Sequence, residues 1–192
     1  PGMLYYMPQN WASDNTDATE RLFIQHGGSF VYPASTVGSH VSAVPNHQIG
    51  RISSLSMRGT VAMNGAFGYE LDLSKLSKDE LAEMQTQVQT YKRIRDIVMT
   101  GDFYRLSDPN KSRYYAWMYV NEDKSKAVYY FVVKSAKPNR EVVKIRLKGL
   151  DENARYDVGG RIYSGKTLMN YGLTSVGNEL ECDNIMIEIN RL

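Results

Sequence analysis

The residues most suited to chemistry lie in one short string, Trp11-Ala12-Ser13-Asp14-Asn15-Thr16-Asp17, which packs two carboxylates, two hydroxyls, an amide and an indole into seven positions. A carboxyl group placed within hydrogen-bond reach of a reacting oxygen can donate or accept the proton that the reaction moves. The same residue types have a second use, because Ser13, Asp14 or Thr16 can cap a helix by accepting one of its first backbone N–H groups. A lone aspartate needs a partner before it becomes a specific site, so on residue types alone both uses stay open.

Other candidates are weaker. His40 and His47 lie seven apart with Pro45 between them, a spacing that fits neither the paired-histidine helix motif nor zinc-finger ligands. Arg51 and Arg58 suit structural pairing or an anion clamp. Gly65, Gly68 and Gly101 lack the Lys-Ser/Thr or spaced-glycine company of a phosphate loop, so no nucleotide cofactor is implied. Trp117, Tyr119, Tyr129 and Phe131 sit in β-rich runs, where core or domain-interface packing is the expectation.

The elements that would position these residues change in kind near Gly101. Before it, short apolar runs alternate with helical patterns. Tyr5 to Trp11 reads as extended, Asp17 to His26 as a helix ended by Gly27-Gly28, Val41 to Val44 as a short run, Arg51 to Met63 as a helix and Phe67 to Leu73 as a strand. The clearest helix spans Lys78 to Val98. Ser77 and Glu80 form a capping-box pattern ahead of it, and Leu81, Met84, Val88, Tyr91, Ile94 and Val98 recur at spacings of three and four. Strand and helix in alternation are the mark of α/β units with parallel strands. About three units are visible, whereas a closed (β/α)8 barrel needs eight.

Beyond Gly101 the pattern is strands and turns. Ala116 to Val120 and Ala127 to Val133 flank the polar turn Asn121 to Lys124, and Val143, Ile145 and Leu147 alternate with Lys144, Arg146 and Lys148. Tyr156 to Val158, Lys166 to Tyr171 and Ile185 to Ile189 are further strand candidates. Such spacing predicts a small antiparallel sandwich. The fold class expected is therefore α/β, with residues 1–101 forming the last part of a (β/α)8 barrel, if barrel it is, and residues 102–192 the sandwich.

Composition narrows the function classes. With 23 basic and 21 acidic side chains, net charge +2, and 42% hydrophobic residues in 192, the chain has the make-up of a globular protein. It shows no electrostatic footprint for nucleic acid or an anionic membrane. The single cysteine, Cys182, excludes an internal disulfide and a Cys-rich zinc site; it reads as a small buried hydrophobe.

Three strings carry a family resemblance. Residues from Pro1-Gly2-Met3-Leu4-Tyr5-Tyr6 through Ser13-Asp14-Asn15-Thr16-Asp17-Ala18, then Gly38-Ser39-His40 through Gln48-Ile49-Gly50-Arg51, then Arg58-Gly59-Thr60 through Gly68-Tyr69-Glu70-Leu71-Asp72, closely resemble the C-terminal portion of glycoside hydrolase family 36 α-galactosidases (melibiases). Weaker similarity continues through Lys148-Gly149-Leu150-Asp151 and the β half.

The resemblance implies a (β/α)8 catalytic barrel followed by a C-terminal β-sandwich. It implies retaining hydrolysis of terminal α-D-galactosyl residues of melibiose- and raffinose-type oligosaccharides, with Asp14 as general acid/base and no cofactor or metal. Trp11, Asn15 and His40 become candidate substrate contacts. Asn15 and Asp17 read also as helix-start and orienting residues, Trp11 equally as packing, and His40 and His47 as members of the seventh βα loop at the active-site rim. The family's nucleophile falls on an earlier strand, upstream of Pro1, so this stretch alone is expected to be inactive. A cytoplasmic homo-oligomer is the expected parent enzyme, binding neither nucleic acid nor membrane. Two alternatives remain: a galactosyl transferase of the raffinose-synthase kind, and a noncatalytic carbohydrate-binding or assembly module.

Overall fold

A computed structural model describes residues 2–135, 142–175 and 183–192. Cys182 lies outside them. The chain forms two compact units, Pro1–Met99 and Thr100–Leu192.

The first unit orders as β1 (Asn10–Trp11), α1 (Ala18–Gly28), β2 (Val37–Ser42), α2 (Leu55–Ala62), β3 (Ala66–Glu70) and α3 (Lys78–Thr100). The strands form one parallel sheet in the order β1-β2-β3. This is the last part of a (β/α)8 barrel, with each strand followed by a helix. Register sets two faces. His40 pairs with Gly68 and Ser42 with Glu70 on one, while Val41 pairs with Tyr69 on the other. The second face packs onto helices: Val41 clusters with Leu55, Ala62 and Met84, and Phe67 and Tyr69 press against them.

Polar contacts lock that helical side. Gln25 of α1 donates to Ser39 Oγ at 3.0 Å and to the Val61 carbonyl at 3.2 Å, and accepts from Asn64 at 3.2 Å. Gln87 of α3 donates to the Leu55 carbonyl at 3.0 Å and accepts from the Tyr69 hydroxyl at 2.9 Å. These buried groups satisfy one another, which is what makes their burial tolerable.

Ser77 and Glu80 form the expected capping box: Ser77 N–H donates to Glu80 Oε2 at 2.9 Å and Glu80 N–H to Ser77 Oγ at 3.2 Å. The buried stripe differs from the spacing argument at its ends. Gln87 and Ile97 join Met84, Tyr91, Ile94 and Val98 inside, whereas Leu81 is 42% exposed. Tyr5 to Trp11 is not one extended run. Gly2–Tyr5 is a 3-10 turn, and the parallel ladder begins only at Asn10, leaving Tyr5, Tyr6 and Met7 exposed. Likewise α2 starts at Leu55, capped by Ser54 Oγ, not at Arg51.

The second unit is an antiparallel β-sandwich of β4 (Asp102–Arg105), β5 (Tyr114–Val120), β6 (Lys126–Val133), β7 (Val143–Ile145), β8 (Arg155–Val158), β9 (Arg161–Ser164), α4 (Gly165–Asn170), β10 (Leu173–Ser175) and β11 (Asn184–Arg191). Six strands run β4-β5-β6-β11-β8-β9, and β10-β7 form a second, two-stranded sheet. Between them Met118, Tyr129, Phe131, Ile145, Leu147, Tyr156 and Leu168 form the core. Strands β5 and β6 are buried on both faces, with Trp117 stacked on Tyr130 at 4.9 Å and 6°. Such strands read as unbroken apolar runs. Lys166 to Tyr171 is a short helix rather than a strand, because Ser164 Oγ accepts from Thr167 N–H at 3.1 Å and caps it.

Candidate active site

The connection from β1 to α1, residues 12–17, emerges at the carboxyl end of a parallel strand, where barrel enzymes build their sites. Its shape comes from side chains folding onto their own backbone. Ser13 Oγ accepts from Asn15 N–H and Asn15 Oδ1 from Asp17 N–H, both at 3.1 Å. Asp17 Oδ2 accepts from Glu20 N–H at 3.0 Å and caps α1. Arg51 donates to the same oxygen. Arg21 ties the loop to the next strand, donating to the Ser13 carbonyl at 3.3 Å and the Gly38 carbonyl at 3.2 Å. Thr16 Oγ1 accepts from Asn46 at 3.2 Å.

The capping role that Ser13, Asp14 or Thr16 could have filled belongs to Asp17. Among the described residues, Asp14 has no hydrogen-bond or ion-pair partner, and its side chain is exposed. It lines an open cleft of about 380 Å3 with Trp11, Thr16, Ser42, Ala43, Pro45, His47 and Glu70. These residues come from the carboxyl ends of all three strands and the loops that follow them. The string neighbours thus hold the loop, and Asp14 is the carboxylate that faces open space.

Trp11 lines the cleft, and His40 packs against it from β2. His40 belongs to β2 itself rather than to the loop after it, and its ring packs on Trp11 with centroids 4.4 Å apart at 44°. Gly68 and Gly38 make room for it: a Cβ there would stand 3.2 Å and 3.4 Å from the imidazole. Burial lowers the His40 pKa from 6.5, Glu70 opposes that shift and Arg21 adds to it. The depressed value favours the neutral ring. Its contribution to stability is therefore present above pH 6.5 and is lost as pH falls through the folded value. Proton NMR titration of residues 1–192 is expected to show His40 protonating below the free imidazole value, and lower still in Glu70→Gln. A midpoint that rises in Glu70→Gln would contradict the assigned field.

Of the remaining candidates, Asn15 has its side-chain carbonyl committed to the loop, and His47 lies exposed on the cleft rim. Both arginines make structural pairs. Arg51 bridges Asp17 and, at 4.0 Å, Glu20. Arg58 is 6% exposed and donates to the Ser42 carbonyl at 2.6 Å and the Ser53 carbonyl at 3.2 Å, pinning the end of β2. Arg58→Met keeps the apolar stem but strands two carbonyls, and is expected to lower unfolding free energy by about 2–4 kcal/mol in denaturant titration. A change under about 0.5 kcal/mol would show that the pair carries no stability.

Residue-type reasoning passed over Ser42 and Glu70. Both end a strand on the face away from the helices, and that position in a parallel barrel was the available signal.

The comparisons with known proteins agree with this fold. The "Melibiase" family model matches residues 1–101, and the model of the glycosyl hydrolase family 36 C-terminal domain matches residues 114–178. Alpha-galactosidase AgaA of Geobacillus stearothermophilus is 52% identical over 174 residues, covering 90% of this chain and 24% of the relative. The bifunctional alpha-galactosidase/sucrose kinase AgaSK of Mediterraneibacter gnavus is 48% identical over 174 residues, covering 90% and 19%. Among solved structures, a variant of the Geobacillus enzyme in complex with raffinose superposes with a TM-score of 0.98 at 47% identity, and the Lactobacillus brevis α-galactosidase with 0.94 at 39%. Each match covers 100% of this chain and 27% of the other. The chain thus spans about a quarter of the length of these relatives, and it belongs to the melibiase family, glycoside hydrolase family 36.

Proposed function

We propose that residues 1–101 complete the catalytic barrel of a retaining α-galactosidase, that residues 102–192 are its C-terminal sandwich, and that Asp14 is the general acid/base. The reading rests on one observation above all: in a string whose other polar side chains fasten the loop, Asp14 alone among them lines the cleft at the carboxyl ends of the strands without a described partner. The substrate class, melibiose- and raffinose-type galactosides, follows the relatives named above, one of which holds raffinose.

In the first step a carboxylate attacks the anomeric carbon from the face opposite the leaving group. The bond from that carbon to the glycosidic oxygen breaks, and Asp14 gives its proton to the departing oxygen. In the second step Asp14, now a carboxylate, takes a proton from water as the water oxygen displaces the enzyme's carboxylate, so configuration at carbon is retained. The two carboxyl groups of such a pair stand about 5–5.5 Å apart. The attacking one belongs to polypeptide outside these 192 residues.

Purified residues 1–192 are therefore expected to release no chromophore from an aryl α-galactoside, while the full-length enzyme does. Turnover by the short chain at a rate comparable to the full-length enzyme would overturn the assignment of the nucleophile.

A further inference from the structure

We infer that Ser42 and Glu70 form a subsite for hydroxyl groups of the departing sugar. The inference rests on the acid/base reading of Asp14.

The two residues stand opposite each other in register at the ends of β2 and β3, on the face away from the helices, and both line the cleft that Asp14 lines. Their chemistry is complementary to a diol. Ser42 is 7% exposed, and its hydroxyl is buried without a partner in the described structure. A buried hydroxyl left unpaired is costly, which is a reason to expect a ligand there. Arg58 holds the Ser42 carbonyl at 2.6 Å, which fixes the backbone that carries the hydroxyl. The Glu70 carboxylate is exposed and has no ion-pair or hydrogen-bond partner among the described residues. One group can donate and accept, and the other is a strong acceptor; two sugar hydroxyls need that combination.

Their level in the cleft says which sugar. Along β2, Gly38, His40 and Ser42 rise toward the carboxyl end on one face, matched by Ala66, Gly68 and Glu70 on β3. Ser42 and Glu70 are the topmost pair, above the His40 layer. An enzyme that removes a terminal galactosyl unit admits that unit deepest and leaves the departing sugar toward the mouth. The acid that protonates the departing oxygen lies on the same side, and Asp14 shares this cleft. The pair therefore meets the leaving group.

The test uses the full-length enzyme with two substrates that share the galactosyl unit: melibiose, whose leaving group is a sugar, and 4-nitrophenyl α-galactoside, whose leaving group carries no sugar hydroxyls. Glu70→Gln and Ser42→Ala are expected to lower kcat/KM for melibiose by about 10- to 100-fold and about 5- to 10-fold, mostly through KM. For the aryl substrate both should stay within about 3-fold. Equal losses on both substrates, or no loss on melibiose, would overturn the subsite. Asp14→Ala, measured in parallel, separates this result from the reading beneath it: if that variant keeps full activity on melibiose, the acid/base assignment fails first. Unchanged near-ultraviolet circular dichroism confirms that each variant is folded.

Discussion

Asp14→Ala in the full-length enzyme is expected to lower kcat for melibiose by about 10²- to 10⁴-fold, the usual span for loss of a general acid/base. The loss falls unequally between the two chemical steps. On the proposed mechanism a sugar leaving group, being a poor one, needs the proton from Asp14, so galactosylation should slow. An aryl leaving group departs without that help, so for an aryl galactoside only hydrolysis of the intermediate slows. Azide, which needs no general base, should then restore turnover of the aryl substrate and yield α-galactosyl azide, with configuration retained. Because the Asp14 side chain is exposed and has no described partner, removing it should leave thermal stability unchanged. Equal losses for aryl and sugar leaving groups, with no azide product, would remove Asp14 from the mechanism.

Gly172→Ala should unfold the sandwich at a much lower denaturant concentration, with a loss of about 3–5 kcal/mol. Gly172 follows α4 at φ +90°, a conformation that L side chains rarely adopt, and an added Cβ would stand 2.4 Å from the Ile145 carbonyl oxygen and 2.7 Å from its carbon. Strain in the backbone costs about 1–3 kcal/mol, and overpacking against atoms that cannot rotate away adds a similar amount. Gly27→Ala is the contrasting control. It lies in the last turn of α1 with nothing within 4 Å of the added Cβ, so it should stabilise by about 0.5–1 kcal/mol. Equal and small effects at both glycines, read from denaturant midpoints, would show that the tight approach at Gly172 is not held in solution.

What could be read beforehand was whatever depends on neighbours in the chain. The capping box at Ser77 and Glu80 is a four-residue arrangement, and it formed as written. The hairpin of β5 and β6 needed only two apolar runs and the polar turn at Asn121 to Lys124. Errors fell where a distant contact outweighed local preference. Tyr5 to Met7 have strand-forming side chains, but the parallel ladder reaches only to Asn10. Leu81 falls on the apolar period of α3 yet is exposed, while Gln87, polar, is buried because Tyr69 and Leu55 satisfy its amide.

The candidate site divides in the same way. By itself the sequence determined the family, through three strings of matched residues; the junction of strand and helix drew attention to residues 11–17, and the family resemblance singled out Asp14 among them. Which of the clustered polar residues would cap the helix, and which would face the cleft, was decided only by tertiary structure. Arg51 and Arg21 arrive from elsewhere to hold Asp17 and Ser13, and their reach across 34 and 8 positions of chain is invisible to spacing rules. Ser42 and Glu70 are 28 residues apart, and parallel register alone sets them side by side. A cleft is made where strand ends converge, and convergence is a property of the folded sheet rather than of any segment within it.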